Sequence, residues 1–408
     1  VSAIGTAGRR GEKVRSDCWI SVELKDSGGI EISLKSRVQS MYGGSIRKSI
    51  EDGLGQIGVK HAAVEVEDAG AVPFVIWARL EAAAKEANPG ISTELLPPAQ
   101  EFTKYPTKRD RFRRSRLYLP GDQVKLMLNA GLHGPDGVIL DLEDSVAPSQ
   151  KVAARYVVRN ALRSVDFFGA ERMVRINQLP TGLDDLEFVV PHNVHIILIP
   201  KCESGDDVRK VDARVQETRE REGVSSEVYL MPIVESALGS LFAYEIASAS
   251  PNVVALTIGL EDYTADIGTQ RTNEGRESFW ARSQVVNAAR AARVQPIDTV
   301  FSDVTDVEGL MASVLEAKAL GFDGKGCIHP RQIETIHAGF APSAAEVEKA
   351  TRIVLAFERA EADGLGVVSL GSKMIDPPVV KRALRTVELA VASDLLPRDW
   401  RERGGDDA

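Results

Sequence analysis

Two apolar runs in the middle of the chain end in acids. V-Y-L-M-P-I-V-E-S, residues 228–236, carries Glu235 near its end, and V-V-A-L-T-I-G-L-E-D, residues 253–262, closes on Glu261 and Asp262. The stretch between them, A-L-G-S-L-F-A-Y-E-I-A-S-A-S, has helical spacing, so the three pieces read as a strand–helix–strand unit. Consecutive parallel strands are usually neighbours, which predicts that Glu235 and Asp262 meet at the carboxyl edge of a sheet. Carboxylates that meet must share a proton or hold a cation, because bare like charges repel. A hard divalent ion such as Mg²⁺ suits two oxygen ligands completed by water and substrate. The plainer alternative is that each acid caps the helix that follows it.

The elements needed to position these acids recur at regular intervals. Short apolar runs fall at 116–120, 137–144, 173–177, 195–201, 228–236, 253–262, 297–303 and 324–330, separated by helical stretches such as 151–162 and 279–292. Eight nearly continuous apolar strands alternating with helices indicate a parallel sheet buried on both faces. Over roughly 220 residues they match a closed (β/α)8 TIM barrel better than an open doubly wound sheet. The first unit also lacks a G-x-G-x-x-G opening. In a barrel the chemistry sits at the carboxyl ends of the strands, and those ends hold many acids and few bases. Glu143 and Asp144 close one run, Arg175 and Asn177 another, and Lys201 a third. Arg175 suits a planar anion such as a carboxylate or an enolate oxygen, or equally a buried ion pair with one of the acids. Lys201 is the residue a Schiff-base aldolase would use, whereas His329, beside Pro330, reads as structural. Spacing alone supports a metal-assisted reaction on an anionic substrate.

The flanks differ from the barrel. Residues 1–88 read as a small α+β domain: 18–24 and 30–36 alternate like strands joined by the hairpin signal D-S-G-G, 46–57 is helical, 61–68 is another strand, and 75–87 is a helix of strong formers. Residues 89–110, rich in proline, read as a linker. A basic run from Lys108 to Arg116 follows, by default a solvated face. The barrel takes 111–340, leaving 341–408 as a C-terminal extension that has no place in a closed sheet.

Composition narrows the function. A formal net charge of −9 argues against nucleic acid and against an anionic membrane surface. No run of about 18 apolar residues exists and the N-terminal residues have no apolar signal core. The three cysteines have no metal spacing, and so sparse a count fits a reducing, cytoplasmic setting.

The motifs are more specific than the composition. R-R-S-R-L-Y-L-P-G, V-I-L-D-L-E-D-S-V, R-I-N, I-P-K-C-E-S, P-I-V-E-S-A-L-G, G-L-E-D-Y-T-A-D, I-D-T-V-F-S-D, G-F-D-G-K-G-C-I-H-P-R-Q and M-I-D-P-P-V-V together resemble the citrate lyase β-subunit family, which includes citramalyl-CoA and malyl-CoA lyases. The resemblance implies a TIM barrel, Mg²⁺, and retro-aldol cleavage of a 3-hydroxyacyl thioester, with a citryl thioester as the first expectation. It also implies metal ligation by Glu235 and Asp262, substrate binding by Arg175, and a catalytic Asp376 reaching a neighbouring subunit's site in a homo-oligomer, trimer or hexamer. Glu143 and Asp144 would stand close to the metal, through water. Residues 1–88 resemble the acyl carrier (γ) subunit of citrate lyase, in S-R-V-Q-S-M-Y-G-G-S-I-R-K-S-I and V-E-V-E-D-A-G-A. That family attaches a CoA-derived prosthetic group to a serine; here Arg15 falls at that place and Ser16 precedes Asp17. Either Ser16 takes the group or the carrier role is lost. Rival readings are a malyl-CoA or citramalyl-CoA lyase or thioesterase on the same site, and a scaffold that docks other lyase subunits.

Overall fold

The computed structural model describes residues 3–362, 368–370 and 373–403. It divides into two compact units, Val1–Ile333 and Glu334–Ala408.

The first unit begins with a four-stranded sheet: β1 (Ile4–Gly8), β2 (Cys18–Leu24), β3 (Ile30–Ser36) and β4 (Ala62–Asp68), with α1 (Gln39–Gln56) and α2 (Pro73–Ala87). The order is β1-β2-β4-β3. The two alternating stretches expected to form a hairpin are therefore not neighbours. β4 lies between them, antiparallel to β2 and parallel to β3. The D-S-G-G turn reverses the chain, but the pairing that buries Val64 and Val66 against Ile20 and Val22 wins.

The eight expected barrel strands are all present. They are β5 (Ser115–Pro120), β6 (Gly137–Asp141), β7 (Glu171–Arg175), β8 (Ile196–Ile199), β9 (Tyr229–Val234), β10 (Ala255–Ile258), β11 (Gln295–Asp298) and β12 (Gly324–Cys327). They close in sequence order, β12 pairing with β5, and every pair is parallel. Ile139, Met173, Ile196, Leu198, Met231, Ile233 and Ile297 fill the interior. The connecting helices are α3 (Val124–Met127), α4 (Lys151–Ser164), α5 (Gly182–Val189), α6 (Gly205–Glu222), α7 (Ala237–Leu241), α8 (Ala243–Ser248), α9 (Leu260–Asp266), α10 (Phe279–Ala291), α11 (Val307–Leu320) and α12 (Arg331–Phe340).

The N-terminal sheet is fastened to this barrel. Helix α2 packs on α4, and Glu81 of α2 pairs with Arg159 of α4 at 2.5 Å, both side chains fully buried. Lys85 reaches the same carboxylate at 2.7 Å and the amide of Leu95 donates to it at 2.8 Å. The connecting stretch 88–110, although it holds only one short 3-10 helix, is thereby anchored: Leu95 is fully buried and its carbonyl accepts from Asn160 Nδ2.

The second unit contains α13 (Ala344–Ala362), a hairpin of β13 (Val368–Leu370) and β14 (Lys373–Ile375), α14 (Pro377–Ala392) and α15 (Trp400–Arg403). Its own core gathers Ile353, Val354, Ile375, Val380, Ala383, Val387 and Trp400.

Candidate active site

The carboxyl ends of β6, β7, β8 and β9 bring most of the expected residues together. Asp141 and Arg175 close β6 and β7 and are register partners. Arg175 holds Asp141 through Nε and Nη2, each at 2.7 Å, and its Nη1 lies 2.9 Å from Glu143. Of the two sequence readings of Arg175, the buried ion pair is present, and the same residue lines an open cavity. Burial disfavours its charge, but the hydrogen bonds and charge of Asp141 outweigh that and hold its pKa above the ordinary value. The same pair holds Asp141 below its ordinary value against its own desolvation.

Glu235 follows the last residue of β9 and is 5% exposed. Its Oε1 accepts the backbone amide of Lys201 at 2.7 Å. Burial, reinforced by Asp262 and Glu143, pushes its carboxyl up from 4.5 to about 7. Asp262 is not at a strand end. β10 stops at Ile258, and Asp262 sits in the first turn of α9, where a helix N-terminus tolerates acids. Gly259 makes the crossing possible, because a Cβ there would lie 2.5 Å from Glu235 Oε2.

The ammonium of Lys201 sits among these acids, 3.5 Å from Glu143, 3.5 Å from Asp262 and 3.8 Å from Asp144. Burial pulls its pKa down, but Glu143, Asp262, Asp144 and Glu235 outweigh that and raise it. A lysine held protonated is a poor Schiff-base nucleophile. Its position instead shows that the rim attracts positive charge. Among the described residues no three acids, histidines or cysteines converge tightly enough to hold a metal alone. Two carboxylates with open space beside them fit an ion that keeps water and substrate in its shell.

A cavity of 220 Å³ opens here, walled by Tyr118, Arg175, Glu235, Gly259, Asp262 and, at its floor, Arg116. A larger one of 440 Å³ adjoins it, and Leu260, Glu261, Asp298 and Thr299 wall both. Arg116 was hidden in the basic run read as a solvated face. Lys108 and Arg109 are exposed, but Arg113, Arg114 and Arg116 are buried, Arg113 against Glu171 at 2.6 Å and Arg114 against Asp136 at 2.9 Å. The run crosses into β5, and apolar Leu117 and Leu119 beyond it were the available signal. Tyr118, whose ring lies 5.4 Å from the Arg175 guanidinium, also went unnoticed.

Asp376 belongs to the second unit, where it is exposed and caps α14, accepting the Val379 amide at 3.2 Å. Ser16 is half-buried with φ +57° and donates its amide to the Ala69 carbonyl. The next residue, Asp17, is buried and paired with Arg79 through bonds of 3.0 and 2.8 Å. Arg79 Nη2 also lies 3.4 Å from the Asp122 carbonyl, just past β5. The Ser16 turn therefore stands beside the same end of the barrel as the acidic rim.

A closed parallel barrel with an acid-rich mouth at its carboxyl end is the architecture of a TIM-barrel enzyme. Residues 114–330 match the family described as HpcH/HpaI aldolase/citrate lyase, and the chain belongs to it, as an enzyme of a lyase family. Citrate lyase subunit beta of Haemophilus influenzae is 41% identical over 69% of this chain and 97% of its own length. L-malyl-CoA/beta-methylmalyl-CoA lyase of Rhodobacter capsulatus is 32% identical over 71% of this chain and 99% of its own. A solved structure of protein CitE from Mycobacterium tuberculosis, in complex with magnesium, acetoacetate and coenzyme A, superposes with a TM-score of 0.55. It is 30% identical and covers 69% of this chain and 99% of that one. Residues 9–87 match a second family, described as malonate decarboxylase delta subunit, so a carrier-like domain precedes the lyase domain. Among the described residues no helix is long and apolar enough to cross a membrane.

Proposed function

We propose that the chain is a Mg²⁺-dependent lyase that cleaves a citryl thioester to an acetyl thioester and oxaloacetate. The observation that carries this reading is the crowded rim, where Glu143, Asp144 and Asp262 surround one ammonium and Glu235 is pushed up to about 7. Glu235 and Asp262 are the ligands we assign, and the magnesium in the Mycobacterium tuberculosis relative supports the choice of ion. A divalent ion held there supplies Lewis-acid stabilisation of the carbonyl that forms as the carbon–carbon bond breaks.

The remaining roles belong to side chains. Arg175, fixed by Asp141, presents its guanidinium to the enolate oxygen of the departing acetyl thioester. Glu143 and Asp144 orient water and the substrate hydroxyl beside the ion. The hydroxyl gives its proton to the water that Glu143 and Asp144 orient, the bond between the carbinol carbon and the methylene carbon breaks, and the methylene carbon gains a proton. We assign that last transfer to Asp376 of a neighbouring copy in a homo-oligomer. Residues 1–88 are the carrier-like domain, 89–110 its connection, 111–340 the lyase domain and 341–408 the extension that supplies Asp376. Ser16 is the attachment point if a CoA-derived group is carried. The protonated state of Lys201 speaks against a covalent imine.

The test is keto-acid release from citryl-CoA, citramalyl-CoA and malyl-CoA, with Mg²⁺ and after chelation by EDTA. Citryl-CoA should be cleaved fastest, and only with the ion. Full turnover in excess EDTA would overturn the metal assignment, and a preference for malyl-CoA would overturn the substrate assignment.

A further inference from the structure

Arg116 has no use in the scheme above, and its surroundings are unusual. Its side chain enters the barrel from β5 and is 1% exposed. Nη1 donates to Met231 Sδ at 3.0 Å, and Nη2 donates to Thr257 Oγ1 at 3.2 Å and to the Asp298 carbonyl at 3.4 Å. Its Nε has no hydrogen-bond partner among the described residues. Every acceptor it has is neutral.

The buried carboxylate beside it is already committed. Asp298 takes Lys325 Nζ at 2.7 Å and the Arg282 guanidinium at 3.2 and 3.1 Å. Two buried cations, Lys325 and Arg282, thus occupy the one buried carboxylate beside Arg116, with the part-exposed Glu316 answering Arg282 at 2.8 Å. Other buried arginines are better matched: Arg79, Arg113 and Arg159 each hold a carboxylate of their own. Arg172 lacks one, but it is covered by the Tyr105 ring at 4.1 Å and lines neither cavity. Surplus positive charge in a dry interior is costly unless an anion arrives. Burial accordingly pulls the Arg116 pKa below its ordinary value.

Arg116 does line the 220 Å³ cavity that also holds Arg175, Glu235 and Asp262. The cavity is therefore polarised, acidic at the rim and cationic at the floor. A ligand that fits both ends chelates a metal at one end and carries an anion at the other. We propose that Arg116 binds the second carboxylate of a four-carbon dicarboxylic keto acid, and so selects substrates whose keto-acid half carries two carboxylates. This deepens the lyase reading and rests on it. Oxaloacetate has that distal carboxylate, whereas pyruvate is the same keto acid without it.

The experiment compares binding of oxaloacetate and pyruvate, with Mg²⁺, to the full chain and to Arg116→Met and Arg116→Lys, by calorimetry. The wild type should bind oxaloacetate on the order of 50-fold more tightly than pyruvate, the scale of one charge-assisted bond in a buried site. Arg116→Met should bring that ratio close to one with pyruvate binding unchanged, and Arg116→Lys should restore part of it. Pyruvate binding reports in each variant that the site is folded. A wild-type ratio near one overturns the assignment without any variant. So does an Arg116→Met protein that keeps the wild-type ratio, or one that loses both ligands equally while Arg116→Lys does the same. The thioester assay separates this from the reading beneath it: no cleavage of any hydroxyacyl-CoA defeats the lyase, whereas cleavage with a ratio near one defeats only Arg116.

Discussion

Two charged clusters in the first unit are built from the same residue types and do opposite things. Between the N-terminal sheet and the barrel, Glu81 meets Arg159 and Lys85, and Asp17 meets Arg79, all deeply buried apart from the lysine. Each carboxylate there has its cations, and the adjoining amide of Leu95 completes the set. At the barrel mouth, Glu143, Asp144, Glu235 and Asp262 outnumber what Arg175 and Lys201 supply, and Glu235 cannot ionise at its ordinary pH. The balanced cluster fastens two parts of the chain. The unbalanced one stores an unmet demand for positive charge, which is what a binding site needs and a structural joint does not.

The comparison breaks most sharply by mutation at the mouth. Glu235→Gln or Asp262→Asn should lower kcat/KM by about 1000-fold or more, on the order of 4 kcal/mol, with no fall in melting temperature, since neither change empties the core. Activity within tenfold of wild type would show that the surplus is not the metal's. At the joint the expected signs reverse. Arg159→Met leaves buried Glu81 with only Lys85 and the Leu95 amide and should cost roughly 3 kcal/mol in denaturant unfolding, while thioester cleavage per folded molecule changes little. Loss of cleavage without loss of stability would mean the joint acts in catalysis.

A pH series sharpens the contrast. The Glu235 carboxyl is raised in the fold, so its contribution is complete below its unfolded value of 4.5 and is lost as pH rises through about 7. Metal-free Glu235→Gln should therefore be more stable than wild type at pH 8, by on the order of 3 kcal/mol, with the gain fading below pH 5. A gain that does not vary with pH would contradict the origin in burial. The smallest effect is at Asp376. Asp376→Ala should cost about 1 kcal/mol through the lost cap on α14, while Asp376→Asn keeps it. Mixed oligomers of Asp376→Asn and Glu235→Gln, each inactive alone, should recover activity; confirmed hybrids that stay dead would remove Asp376 from a neighbour's site.

What the sequence revealed followed the strength of its local signal. The eight barrel strands were legible because parallel strands buried on both faces read as unbroken apolar runs. β1 was missed because I-G-T-A-G has little strand character; it is a strand because glycine lets α2 approach, a Cβ at Gly5 lying 2.0 Å from the Ala83 carbonyl. The D-S-G-G turn misled because a turn fixes reversal but not which strand fills the gap. Glu235 and Arg175 were visible as acids and bases at strand ends. Arg116 was not, because its identity as a buried charge depends on Met231, Thr257 and Asp298, which come from three other strands. Asp262 was visible, but its placement on α9 rather than on β10 depended on where Gly259 turns the chain.

The bond from Asp17 through Arg79 to the Asp122 carbonyl has a kinetic consequence. A carrier joined by a loose tether samples a volume, and its delivery rate falls as the tether lengthens. Here the turn bearing Ser16 is held beside the mouth it would serve. An acyl arm attached there would need no encounter with a separate carrier protein, so within an intact oligomer turnover per molecule would not depend on the concentration of carrier. Dilution that leaves the oligomer together, which starves a lyase fed by a separate carrier, would leave this one running at the same pace.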